Sequence, residues 1–187
     1  MFAATRALGV DPGLVRTGWA IVDSNGRQAT VVSHGVIAPP SSAELPARLA
    51  AGASELRRVL REHDPRVVAL EEVFTAPRHP RSALLMAHMR GVICLVLQEA
   101  GLPVVSLTAT TVKQRLTGNG HASKKQVQSM VEHVTGSRVD AAMRLDESDA
   151  IALALAALNV TGRPAATVRR ARSLPDHLLA RAWSPRV

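Results

Sequence analysis

The chain has 187 residues, 47% of them hydrophobic, and a net charge of +8, which suits one globular domain with a sizeable core. A single cysteine excludes an internal disulfide, and no apolar run approaches the ~20 residues that span a bilayer. The start of the chain does not resemble a signal peptide. We therefore expect a cytoplasmic protein with no membrane association. Its basic charge favours a polyanionic partner such as nucleic acid, but aromatic residues make up only 2%, which argues against a broad base-stacking platform.

The first predicted strand ends in a carboxylate. Residues 8–11 form a short apolar run that stops at Asp11, and a Pro-Gly pair then turns the chain sharply. Residues 17–22 and 28–37 are two further predicted strands, separated by a strong turn signal. Together the three strands predict an antiparallel meander.

A predicted helix joins this meander to a fourth strand. Ser41 and Glu44 have the spacing of a capping box, and leucines recur at helical spacing over residues 45–60. Residues 67–70 then form another buried run, which ends at Glu71. We expect this strand to be parallel to the first.

The second half of the chain is predicted to consist of helices around one more strand. Residues 82–100 form a long helix that is apolar around much of its circumference, so it is either a core helix or a partner interface. A strand at residues 104–107 follows, then a short helix that begins at Thr108 and a helix capped by Ser123. The last predicted helix covers residues 146–159.

The order of elements predicts the fold class and the domain boundary. Strands followed by helices that alternate with strands indicate an α/β fold, in which an antiparallel meander and parallel strands form one mixed sheet covered by helices. We predict this domain over residues 1–160. Residues 161–187 are rich in Arg, Ala, Pro and Ser and predict a basic tail that we expect to be flexible.

Four carboxylates are placed where they can meet. Asp11 and Glu71 end buried strands that we expect to be adjacent, and sites in α/β sheets form at the carboxyl ends of strands. Asp146 and Asp149 lie three residues apart at the start of an apolar helix, so they share one helix face. Clustered carboxylates cannot all stay ionised without a cation, and oxygen ligands favour Mg²⁺ or Mn²⁺ over zinc. Such a cluster suits two-metal attack of water on a phosphodiester.

Simpler interpretations of the individual acids remain open. Asp11 can be a solvated turn residue, and Asp146 can merely favour the positive end of its helix. The second interpretation does not explain Asp149, which is followed at once by core residues. Glu72 is expected to point away from Glu71 across the strand and to be a bystander.

Six motifs occur here in the order and spacing found in the RuvC family, the bacterial crossover junction endodeoxyribonucleases. They are GVDPGxxxTG from Gly9, ALEEVF from Ala69, VKQ from Val112, GNG from Gly118, KKQV from Lys124 and DESDA from Asp146. The sequence resembles this family over about residues 6–158, and the set is far more specific than any one motif. The resemblance implies a ribonuclease H-like fold with five strands.

The resemblance also implies an activity and the residues for it. It assigns catalytic and metal-binding roles to Asp11, Glu71, Asp146 and Asp149, with two Mg²⁺ ions per active site and Mn²⁺ as a substitute. It implies a homodimer that resolves four-way Holliday junctions by paired, symmetric nicks in DNA recombination and repair. It further implies that the branch-migration proteins RuvA and RuvB are partners. The helix over residues 82–100 is our candidate for the dimer interface.

Several DNA-binding residues are implied in the same way. Phe74 matches an aromatic residue that stacks on a base near the crossover, and Lys113 and Lys124 match lysines that support DNA binding and catalysis. The Gly-rich turn over residues 118–120 can bring backbone N–H groups close to phosphate, although an ordinary helix C-terminal turn has the same sequence.

Three other functions fit parts of the sequence. An actin-like nucleotide-binding domain also has an Asp-x-Gly turn after a strand, but it needs a second Gly-rich phosphate loop, which is not visible here. A noncatalytic DNA-binding module would need little more than the basic tail. A third possibility is a relative on the same fold that processes RNA.

Overall fold

The computed structural model describes residues 5–26, 28–72, 80–136 and 145–158. Its centre is one five-stranded sheet with the strand order β3-β2-β1-β4-β5. The strands are β1 (Thr5–Asp11), β2 (Thr17–Ser24), β3 (Ala29–Ile37), β4 (Val67–Glu71) and β5 (Val104–Leu107). The first three are antiparallel neighbours, and β4 is parallel to both β1 and β5. The predicted α/β fold with a mixed sheet is confirmed.

Five described helices cover the two faces of this sheet. They are α1 (Leu45–His63), α2 (Pro80–Glu99), α3 (Ala109–Thr117), α4 (Lys124–Thr135) and α5 (Leu145–Leu158). Core residues of α1 and α2 form one hydrophobic cluster with one face of the sheet. Core residues of α3, α4 and α5 form a second cluster with the other face. The fold therefore has three layers, with the sheet in the middle.

The period-two alternation of the strands decides which side chains face α5. In β1, Leu8 and Val10 belong to the cluster of α1 and α2, whereas Ala7 belongs to the cluster of α5. Because side chains alternate along a strand, Gly9 and Asp11 lie on the same face as Ala7. The strand end therefore presents its carboxylate to α5.

Two glycines let α5 lie unusually close to the sheet. A Cβ atom added to Gly9 would overlap the carbonyl oxygen of Ala150 and lie 2.7 Å from the nitrogen of Ala154. A Cβ atom added to Gly18 of β2 would overlap the carbonyl oxygen of Asp146. Any side chain at either position would therefore push the first half of α5 away from the strands.

The predicted helix starts are confirmed for α3 and α4 and wrong for α1. The hydroxyl of Thr108 accepts a hydrogen bond from the Thr111 N–H, and Ser123 forms a complete capping box with Gln126. The predicted capping box at Ser41 does not form, because the N-cap of α1 is Glu44, which makes no side-chain capping bond. Proline in the first turn of α1 fixes the start of that helix instead.

Helix α2 is a core helix on one side and an exposed apolar helix on the other. Met89 and Leu97 are fully buried, whereas Leu84 and Leu95 are 58% and 57% exposed. Among the described helices, α2 alone has the length and hydropathy to cross a membrane, and 22% of that apolar window is buried. The core-helix interpretation is therefore confirmed for one face of α2, and the partner interface stays a prediction for the other.

Candidate active site at the strand ends

Asp11 and Glu71 lie side by side at the ends of two parallel strands. Val10 of β1 pairs with Leu70 of β4, so the next residue of each strand is an acid. Ala69 belongs to the cluster of α5, and by alternation Glu71 projects to the same face. The two side chains share a hydrogen bond, which requires a proton on one of them. The strand ends thus bring together two acids that are 60 residues apart in the sequence.

The first turn of α5 adds two more carboxylates to this pair. Its backbone at Asp146 lies directly over Gly18, and both Asp146 and Asp149 raise the pKa of Asp11 through charge repulsion. The acids converge because α5 lies close to the sheet. The four predicted acids therefore form one cluster.

The environment of the cluster changes the protonation of Asp11. Burial raises the pKa of Asp11 to about 9, and the hydrogen bond and charge of Glu71 act in the same direction, followed by the charges of Asp149 and Asp146. A carboxyl group with such a pKa holds a proton at neutral pH. A divalent cation would reverse this preference, because it stabilises the charged form of every carboxylate around it.

The donor set fits a hard divalent cation. Within the described ranges, no three His, Cys, Asp or Glu side chains already have the arrangement of a metal site. Asp11 and Glu71 share a proton, and Asp149 accepts a 3.3 Å ion pair from Lys124. The proton between Asp11 and Glu71 and the ammonium group of Lys124 thus supply the positive charge that a metal ion would bring. Carboxylate oxygens are the ligands that Mg²⁺ and Mn²⁺ prefer.

Both predicted lysines lie beside the acids. Lys113 of α3 and Lys124 of α4 line a cavity of about 230 Å³ that Glu71 and Asp149 also line. The rest of the wall is mostly apolar and comes from α3, α4 and α5. The acids therefore face a cavity with two cationic side chains at its edge.

Comparison with known proteins identifies this arrangement. The family model described as "Crossover junction endodeoxyribonuclease RuvC" matches residues 7–157. The chain belongs to the RuvC family. It is therefore a crossover junction endodeoxyribonuclease, a hydrolase of DNA phosphodiester bonds that works in DNA recombination and repair, and cleavage in this family depends on divalent metal ions.

Individual relatives agree with the family model. A RuvC from Bordetella avium is 41% identical over 150 residues, which cover 80% of this chain and 81% of the relative. A RuvC from Saccharopolyspora erythraea is 38% identical over 180 residues, which cover 94% of this chain and 89% of the relative. The structure of Thermus thermophilus RuvC in complex with a Holliday junction substrate superposes with a TM-score of 0.75 at 28% identity, covering 81% of this chain and 92% of that one. The RuvC fold predicted from the sequence is confirmed.

Some of the other predicted site features have a different outcome. Phe74 and residues 161–187 lie outside the described residues, so their roles stay predictions. The Gly-rich turn after α3 is an ordinary helix end, because its backbone N–H groups are already used. Gly120 donates to Gln114 Oε1, and Asn119 donates to Thr117 Oγ1. Glu72 is exposed just beyond β4, and its N–H donates to the carbonyl of Leu107.

Two supporting residues were not predicted from the sequence. Thr17 is almost completely buried, and its hydroxyl donates to the Gly13 carbonyl at 2.8 Å and accepts from the Gly13 N–H at 3.2 Å. It thereby holds the turn that follows Asp11. His34 of β3 lies 3.3 Å from Glu147 of α5 and links the first turn of that helix to the sheet. The TG pair at the start of β2 was a usable signal for Thr17, whereas the contact of His34 spans 113 residues.

The raised pKa of Asp11 predicts a specific pH dependence for the metal-free protein. Asp11 keeps its proton in the folded state up to about pH 9 but loses it near pH 3.8 when unfolded. The stabilisation that the protonated Asp11 gives to the folded state is fully present below about pH 4 and is lost progressively as the pH rises toward 9. In chelator at pH 8, Asp11→Asn should raise the free energy of unfolding by at least about 1.4 kcal/mol, which corresponds to a tenfold change in proton affinity. Urea denaturation at pH 5 and pH 8 measures the effect.

Asp23→Asn is the matched control, with the opposite sign. A hydrogen bond from Arg6 lowers the pKa of Asp23, so this carboxylate stabilises the fold when it is charged. The control should be less stable than the parent at pH 8. If Asp11→Asn also lost stability at pH 8, the raised pKa of Asp11 in the folded protein would be disproved.

Proposed function

We propose that this protein resolves Holliday junctions by paired, symmetric nicks, with Asp11, Glu71, Asp146 and Asp149 as the residues that hold the catalytic divalent ions. The observation that supports these roles is the convergence of the four carboxylates at a partly enclosed site, where burial first and the neighbouring acids second raise the pKa of Asp11 to about 9. A cluster of carboxylates without a bound cation would destabilise the fold, with no interaction to offset the burial of its charges. Its position at the carboxyl ends of β1 and β4 is where α/β sheets form their sites.

Two of the four acids lie on the sheet and two lie on α5, and the two pairs have different tasks. Asp11 and Glu71 lie on the rigid sheet, so these two would fix the position of the bound ions. Asp146 and Asp149 lie on the first turn of α5 and complete the set from above the sheet. These four acids would hold two Mg²⁺ ions, with Mn²⁺ as a substitute, and the bound ions would supply a lowered pKa for the attacking water and stabilisation of the leaving oxygen.

Lys113 and Lys124 bind the DNA backbone next to the acids. Lys124 is 69% exposed and its partner Asp149 is 43% exposed, so their ion pair is worth little and can exchange for a phosphate contact. Phe74 follows Glu71 by three residues and stacks on a base near the crossover, an interaction worth about 1–3 kcal/mol per base.

The exposed face of α2 forms the interface of a homodimer. Leu84, His88, Gly91 and Leu95 follow one another at helical spacing along this face, and all four are exposed. The small residue Gly91 allows two helices to approach closely, and the two leucines supply apolar contact on either side. A C₂ dimer presents two active sites to the nearly two-fold four-way junction. RuvA and RuvB are the expected partners of this assembly in the cytoplasm.

Replacing the acids should separate binding from cleavage. Glu71→Gln should slow cleavage of a synthetic four-way junction by more than about 100-fold, since changing even an outer partner of a metal ligand costs about 10–100-fold. Binding of the junction should stay within about twofold of the parent. Strand-specific labels map the nicks, and duplex DNA and an RNA–DNA hybrid test substrate choice.

The adjacent residue provides the control for this experiment. Glu72→Gln removes the same charge one position further along but outside the cluster, and it should cleave at the parental rate. Equal losses in Glu71→Gln and Glu72→Gln would refute the assignment of Glu71. Faster cleavage of the hybrid than of the junction would refute the proposed substrate.

A charge on the α2 face should disrupt the dimer. Leu95→Glu places a carboxylate in the proposed interface, so the protein should become monomeric at micromolar concentration and lose paired nicking. Val32→Glu is the control, because Val32 is an exposed valine on β3, at the edge of the sheet and outside the proposed α2 face. Sedimentation velocity reports the oligomeric state. An unchanged sedimentation coefficient for Leu95→Glu would exclude this interface.

A further inference from the structure

Arg90 connects helix α2 to β4 and to the edge strand β5, near the carboxyl ends of both strands. Its Nε donates to the backbone carbonyl of Glu71 at 3.2 Å, and its Nη2 donates to Ser106 Oγ at 3.1 Å. Glu71 is the last residue of β4, and Ser106 lies in β5, which pairs with β4. One guanidinium group thus bonds a helix to two neighbouring strands beside the acidic cluster.

The bonded carbonyl belongs to the residue whose side chain completes the acidic pair. Beyond Glu71 the regular pairing of β4 ends, with the Glu72 N–H bonded to the Leu107 carbonyl as the last described contact. At the end of a strand the peptide plane is less constrained than inside the sheet. A donor on the Glu71 carbonyl therefore restricts the direction in which the Glu71 side chain leaves the backbone.

We propose that Arg90 is a positioning residue for the cleavage reaction, which holds the peptide of Glu71 so that its carboxylate stays aligned with Asp11. This inference rests on the role of Glu71 given above. The described hydrogen bonds of Arg90 go to the backbone carbonyl of Glu71 and to Ser106, and not to a carboxylate of the cluster. Arg90 therefore acts on the cluster through the backbone of Glu71. The guanidinium suits this task because it donates from two fixed directions, whereas a lysine offers one mobile charge that cannot span both acceptors in the same way.

The position of Arg90 also links the site to the proposed dimer. Arg90 precedes Gly91, which lies on the exposed face of α2, and the opposite face of the helix packs into the core through Met89 and Ile93. A shift of α2 would therefore be transmitted to Glu71 through the Arg90 side chain. Helix α2 therefore takes part both in the proposed dimer interface and in the alignment of the acids.

The chain offers a closely matched control in Arg115. It is also a half-buried arginine, and its Nη1 donates to the backbone carbonyl of Ala156 at 3.1 Å. This bond ties α3 to the far end of α5, more than one helical turn beyond Asp149. Arg115→Met removes the same type of bond with the same change in charge but at a distance from the acids.

The experiment compares Arg90→Met, Arg90→Lys and Arg115→Met in the full chain. Arg90→Met should lower the single-turnover rate of junction cleavage by about 10- to 100-fold, since small misplacements of reacting groups cost up to this much. Junction affinity should stay within about twofold, and Arg90→Lys should recover only part of the rate. Arg115→Met should cleave within about threefold of the parent. The melting temperatures of Arg90→Met and Arg115→Met should be similar, so that a difference in cleavage rate does not come from a difference in stability.

A second readout does not depend on cleavage. Mg²⁺ added to the protein without DNA should raise its melting temperature, because a ligand of the folded state stabilises it. That increase should be reduced in Arg90→Met and preserved in Arg115→Met. Equal rate losses in the two methionine variants, or a loss of junction affinity at an unchanged rate, would overturn the role of Arg90. Failure of the proposed function itself would be evident separately, from parental cleavage by Glu71→Gln.

Discussion

The close contact between α5 and the sheet is the constraint on which the rest of the structure depends. Gly9 and Gly18 leave no room for even a methyl group beneath the helix. This contact sets the height at which Asp146 and Asp149 lie over the strand ends. A larger residue at either glycine would lift the helix and separate its two acids from Asp11. The apolar core contact of α5 and the acidic cluster at its start therefore result from the same packing.

The cost of this arrangement is electrostatic. Several carboxylates share one partly enclosed space, and Asp11 holds a proton at neutral pH in the metal-free protein. Lys124 offsets part of the charge from the solvent side through Asp149. A protein that carries such a cluster gains from binding cations, so the same repulsion that destabilises the fold provides the driving force for metal binding. The hydrogen bonds of Arg90 to the strand ends hold the cluster on its other side.

Much of this site could be predicted from the sequence because its parts have strong local signals. Asp11 and Glu71 follow short apolar runs, and the spacing of Asp146 and Asp149 fixes their common helix face. The prediction was wrong at Ser41, where the capping box does not form and α1 begins instead after Glu44, with a proline in its first turn. Contacts between distant residues, such as those of Arg90, leave no local pattern, because they depend on how two elements pack.

The central claim is that carboxylates from β1, β4 and α5 bind divalent ions at one point. The most direct measurement is a crystal structure of the protein with Mn²⁺, using anomalous scattering to locate the metal. The account predicts anomalous peaks within about 2.5 Å of carboxylate oxygens of Asp11 and of at least one acid from α5, at typical metal–oxygen distances. Peaks only at surface acids outside the cluster, with Asp11 still bonded to Glu71, would contradict it.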